Sequence, residues 1–114
     1  MLDSWVRALE QLIAMPLDPQ RFRRNFYVRA AAGFAAAAAS LLGRILAVGD
    51  ARLEVVSAIA RCVVITNDVR TGDATPLVQR ALARQRGNVM GIYCRTMASG
   101  SACVGDELRA IEAL

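Results

Sequence analysis

The chain has 114 residues, a formal net charge of +4, an apolar fraction of 55% and an aromatic fraction of only 5%. All 14 basic residues are Arg; Lys and His are both absent. That composition excludes Ser-His-Asp and Cys-His catalysis, histidine metal sites, a histidine pH switch and a lysine Schiff base, and leaves carboxylates, Arg, Asn, hydroxyls or a bound metal to carry any chemistry.

In chain order, Trp5, Leu9, Leu12 and Ile13 fall at i, i+4, i+7 and i+8, one face of a helix. Asp3 or Ser4 can cap its start and Pro16 ends it. Asp18 then caps a second helix with Pro19 at its first position. This helix is expected over 19–48, with Arg21, Arg23, Arg24 and Arg29 in its first turns and alanines in its second half. Gly33 is tolerated inside it at about 1 kcal/mol relative to Ala. A third helix is expected over 51–66; its second half is apolar on every face and so central. By propensity alone 63–66 also suits a buried strand, but no second strand is evident to pair with it.

A fourth helix starts at Pro76, with Thr75 as N-cap, Leu77, Ala81 and Leu82 on one face and Arg80, Arg84 and Arg86 on the other. Gly87-Asn88 interrupts it. Further helices are expected over 89–98 and 106–114, the latter with Leu108, Ile111 and Leu114 on one side. The pattern as a whole is an all-α fold, one helical domain over 1–114.

Cys62, Cys94 and Cys103 are odd in number and lack C-x-x-C spacing, which argues against a disulfide framework or zinc site; Cys62 reads as a small core residue. A reducing, cytoplasmic setting follows. The alanine-rich run 30–42 is too short for a transmembrane segment, which needs roughly 20 strongly apolar residues. The basic charge would favour phosphate, yet no nucleic-acid motif is present and stacking aromatics are scarce, so nucleic acid is not an expected partner.

The densest polar chemistry lies directly after the apolar run 55–65. Asn67, Asp68, Arg70, Thr71, Asp73 and Thr75 place two carboxylates, an amide, two hydroxyls and a guanidinium within a few residues. Such a set suits Mg²⁺, which takes oxygen ligands and is commonly held by one or two carboxylates together with substrate phosphates. It also suits a plain joint between two helices.

Three stretches resemble the C-terminal half of the trans-isoprenyl diphosphate synthases (polyprenyl synthetases), strongest over 20–85. They are Arg29-Ala30-Ala31-Ala32-Gly33-Phe34 with the alanine run ending Leu42-Gly43-Arg44-Ile45-Leu46-Ala47; Ala60-Arg61-Cys62 through Asn67-Asp68-Val69-Arg70-Thr71; and Asp68-Val69-Arg70-Thr71-Gly72-Asp73-Ala74-Thr75-Pro76 through Leu82. The resemblance implies a partial isoprenoid-synthase-like helical bundle in isoprenoid biosynthesis. Asn67, Asp68, Thr71 and Asp73 would hold Mg²⁺, and Arg29 and Arg70 would bind a prenyl diphosphate. Asn67, Asp68 and Thr71 are similar also to a terpene cyclase motif. No Asp-Asp-x-x-Asp occurs in the chain. The resemblance therefore implies either an enzyme that needs a partner chain for its first metal motif or a non-catalytic helical subunit acting by homo- or hetero-oligomerisation.

Overall fold

The computed structural model describes residues 1–111. Helix α1 spans Asp3–Ile13 and is followed by a short 3-10 turn at Pro19–Phe22 and another at Ala38–Leu41. Strands β1 (Ile45–Val48) and β2 (Ala51–Ala60) come next, then a 3-10 turn at Val63–Thr66, helix α2 (Pro76–Arg86), and strands β3 (Val89–Ala98) and β4 (Leu108–Ile111). The strands form one sheet in the order β3-β2-β1-β4. The all-α expectation, and with it the partial isoprenoid-synthase-like bundle, is thereby overturned: among the described residues there are two α-helices and a four-stranded sheet.

The chain divides into two compact units, residues 1–35 with 59–91 and residues 36–58 with 92–114. In the first unit, α1 buries Val6, Leu9 and Ile13, and α2 buries Val78 and Leu82. Leu17, Phe22, Ile65 and Met90 complete one core with them, and Trp5 and Ala81 pack against it. The helix faces are shifted by a residue from those expected, for Leu12 and Leu77 are exposed. α1 has no side-chain cap at Leu2. Asp3 lies inside the helix instead, where it accepts the Ala30 N–H at 2.8 Å and pairs with Arg7 at 2.8 Å. At the far end of α2, Gly87 takes a left-handed φ of 60° as C-cap, which glycine adopts without the Cβ penalty.

The second unit carries the strand ladders. β1 pairs antiparallel with β2 (Ile45 opposite Glu54, Val48 opposite Ala51) and with β4 (Ile45 opposite Ile111, Val48 opposite Leu108). Gly49 opens the two-residue turn between β1 and β2 at a φ of +53°, and a Cβ there would collide with the Ser101 carbonyl oxygen. Leu41, Leu46, Ala47, Val48 and Val55 are buried.

Four expected helices are absent among the described residues. The helix over 19–48 stops after one 3-10 turn because Arg23 sits at a left-handed φ of 50°, and Gly33 and Gly43 are left-handed as well. The alanines that follow are mostly exposed, so their propensity, a weak prior, has no packing to reinforce it. Residues 51–60 are extended as strand β2, paired with β1, and adjacent side chains face opposite ways: Val55 is 2% exposed and its neighbour Val56 is 55% exposed. The 89–98 segment is likewise strand β3, and 108–111 is β4 rather than helix. Leu114 lies outside the described residues.

Candidate functional site

The first unit concentrates its polar side chains where β2 gives way to α2. β2 ends at Ala60, and Arg61 and Cys62 lead into the 3-10 turn Val63–Thr66. Arg61 is held at nearly every polar atom. Its Nε donates to the Met90 carbonyl at 2.7 Å and its Nη1 to the Phe22 carbonyl at 2.7 Å. The guanidinium lies 5.6 Å from the centre of the Phe22 ring. The Arg61 backbone N–H donates to Asn88 O at 2.9 Å, and its carbonyl accepts Asn88 Nδ2 at 2.6 Å and Gln79 Nε2 at 3.2 Å. Asn88 itself takes a left-handed φ of 61°, a conformation Asn tolerates better than most residues. The next residue, Cys62, presents a free, exposed thiol. The expectation that Cys62 is a core residue is thus corrected.

A second arginine fixes the other end of the turn. Arg21, only 5% exposed, donates from Nη1 to the Thr66 carbonyl at 2.9 Å and, more weakly, to the Ile65 carbonyl at 3.4 Å. Its Nη2 faces Asp68 Oδ2 at 3.6 Å. Beyond Thr66 the chain forms a self-bonded loop. Asn67 bridges Ala74, Asp68 N–H donates to Asp73 O at 2.8 Å, and Gly72 N–H donates to Asp68 O at 2.8 Å. Asp68 Oδ1 accepts the Arg70 and Thr71 N–H groups at 2.8 and 3.0 Å. Those two amides, with Arg21 nearby, hold the Asp68 carboxyl below the usual carboxylate range. The loop is a tight Asx-type turn and not the end of a helix. An open groove of about 520 Å³ lies alongside, with an apolar wall of Val63, Ala74, Pro76 and Ala83 and polar groups from Thr66, Asn67, Gln79, Arg80 and Asn88.

Asn67, Asp68, Arg70, Thr71 and Asp73 therefore share one loop, with Asn67, Arg70, Thr71 and Asp73 exposed. Arg29 is exposed on a different stretch, whose neighbours Val28 and Ala30 bond back to Met1 and Asp3. Among the described residues, no group of three or more His, Cys, Asp or Glu could hold a metal ion. Sequence reasoning missed the roles of Arg61, Cys62 and Arg21. For the first two a signal exists: a charged residue interrupts the apolar run 55–65 where the strand alternation ends. For Arg21 there is none, because its partners lie 44 and 45 residues away.

No helix among the described residues is long and apolar enough to cross a membrane. The sequence profile of the MOSC domain matches residues 1–109. The crystal structure of YiiM from Geobacillus stearothermophilus superposes with a TM-score of 0.73 at 20% identity, over 97% of this chain and 52% of that one. The likeness is one of fold, and this chain spans about half the length of that relative. No curated protein sequence matches. These findings overturn the resemblance to the polyprenyl synthetases and, with it, isoprenoid biosynthesis, the terpene cyclase alternative and the prenyl diphosphate as partner. The quoted motifs matched in order, but the structure sets the alanine-rich and 51–66 stretches in coil, turn and strand, where they cannot form the helix walls such a site requires. The match over residues 1–109 places the chain in the MOSC domain family.

Proposed function

We propose that this chain binds a molybdenum cofactor, with Cys62 as the thiolate that meets the metal. MOSC domains take their name from the C-terminal part of molybdenum cofactor sulfurases and are associated with that cofactor. The chemistry of the available donors supports the reading. A soft thiolate suits a sulfur-loving metal far better than carboxylate oxygen does, and the chain has no imidazole to compete. Of the three free cysteines, Cys62 is the one set between two arginine-anchored backbone points, and the residue after it, Val63, lines the groove.

The groove's apolar wall suits the faces of a heterocycle, and its few polar groups suit hydrogen-bonding and anionic edges. Asn88 Oδ1 is a buried acceptor without a hydrogen-bond partner, and a buried acceptor left unpaired is costly until a donor meets it. Asn67 and Gln79 add amide donors and acceptors, and Arg80 supplies a guanidinium for a phosphate. When bound, the cofactor supplies the redox chemistry; the chain's contribution is to bind and orient it. We place the protein in the cytoplasm, where its three exposed free thiols stay reduced.

The observation that carries this reading is the exposed Cys62 thiol beside a groove in a MOSC domain. Calorimetric titration with cofactor released from a donor molybdoenzyme should show binding to the wild-type chain and about 10- to 100-fold weaker binding to Cys62→Ser. Equal binding by the two proteins, or none by the wild type, would refute it.

A further inference from the structure

We propose that Arg61 is the positioning residue for Cys62: it fixes where the thiol stands without touching what the thiol binds. The inference rests on the reading of Cys62 as the cofactor-facing thiol, but its test does not need the cofactor.

The chain bends at the end of β2. At residue 61 a regular strand becomes an irregular turn, and strand hydrogen bonds no longer hold the backbone. The side chain of Arg61 takes over. Its two donated bonds, to the carbonyls of Met90 and Phe22, reach two separate segments of the first unit, and the guanidinium stacks on the Phe22 ring. Its main chain is held by Asn88, at both N–H and carbonyl, and by Gln79 at the carbonyl. A residue fixed this way cannot rotate about φ or ψ without breaking several bonds at once, so the following Cα–Cβ bond, that of Cys62, has a set direction.

The backbone makes room for this anchor at a second place. Gly91 has a φ of +100°, and a Cβ there would come within 2.8 Å of Arg61 Nη2 and 3.1 Å of Ile59 Cδ1. The absent side chain is the space in which the guanidinium lies. Lys cannot reproduce the arrangement, because its ammonium is a point charge that lacks the planar fork needed for two divergent carbonyls and an aromatic face. Lys does retain the positive charge, which separates geometry from electrostatics.

The test places a nitroxide on Cys62 in a Cys94→Ser, Cys103→Ser background and reads its mobility by electron paramagnetic resonance. We expect an immobilised spectrum with Arg61 present and a dominant mobile component in Arg61→Lys. Gln79→Met, a volume-conserving change on α2 that removes one bond to the Arg61 carbonyl, should give a smaller mobile component. Thermal melts accompany each sample, since loss of stability alone leaves the label of the remaining folded protein unchanged. An immobile label in folded Arg61→Lys would overturn the proposal. Should Arg61→Lys fail to fold, Gln79→Met decides, and an unchanged spectrum there overturns it. Because no cofactor is present, failure here is distinct from failure of the cofactor reading, which would leave the label results as predicted.

Discussion

The two units of this chain solve the same problem differently. In the second, the backbone of residues 45–48 is satisfied by strands on both sides, and its charged contact, Arg95 with Glu54 at 2.8 Å, lies exposed on the surface. In the first, the backbone around residues 61–66 leaves regular structure: the buried Arg21 guanidinium serves its Ile65 and Thr66 carbonyls, and the Arg61 guanidinium ties it to the carbonyls of Phe22 and Met90. Regular ladders need little from side chains beyond alternation. An irregular turn that must hold one thiol in place needs long, multidentate donors, and Arg supplies five N–H groups in a rigid fork. A chain whose only basic residue is Arg has used it in both ways.

Breaking this contrast should give effects of very different size. The largest belongs to Arg21→Ala, which takes the buried guanidinium from the Ile65 and Thr66 carbonyls, the latter keeping only the Thr75 N–H, and opens space beneath the loop. We expect a loss of about 2–4 kcal/mol, measured by urea denaturation, with only partial recovery in Arg21→Lys. Next comes Val55→Ala in β2, expected to cost about 2 kcal/mol as a buried methyl-bearing side chain is lost, whereas Val56→Ala next to it should change stability by less than about 0.5 kcal/mol. If the two valines cost the same, the strand assignment that separates them is wrong. Arg95→Ala, the surface counterpart of Arg21→Ala, should also fall within about 0.5 kcal/mol. An Arg95 effect as large as that of Arg21 would erase the distinction between the units.

The smallest effect concerns acid. Burial pushes the Asp3 carboxyl up, but the Ala30 N–H and Arg7 outweigh it, so its pKa lies below the ordinary 3.8. A carboxyl whose folded-state pKa is depressed adds stability above its unfolded value and loses it as pH falls through the folded one. Stability should therefore be level through neutral pH and decline below about pH 4, and Asp3→Asn should flatten that decline. An acid limb identical in wild type and Asp3→Asn would remove Asp3 from the account.

How much of this was legible in the residues differs along the chain. The two helices were readable, because their ends carry unambiguous chemistry: Pro76 at the first position of α2 and Gly87 just after it. The alanine run misled because alanine favours a helix whether or not anything packs against it, and here Arg23 and the glycines turn the chain out of one. β2 misled because its polar face is short and one of its exposed residues is Val56, so the segment looked apolar on all sides. At the site, the loop 67–75 stood out from its composition, and the structure does gather those residues. Its Asp68 carboxylate is largely occupied by the loop's own amides. Cys62 looked like core only because its neighbours are valines, and those valines, Val63 and Val64, are exposed as well. Arg21 could not be read at all, because its role exists only once residues far apart in sequence are brought together.

The account stands most directly on the distribution of metal among three cysteine variants. Elemental mass spectrometry of protein purified from molybdate-supplemented cells should find molybdenum in the wild type, in Cys94→Ser and in Cys103→Ser, and little in Cys62→Ser. Retention of molybdenum by Cys62→Ser at the wild-type level, or its loss from all three variants alike, would contradict it.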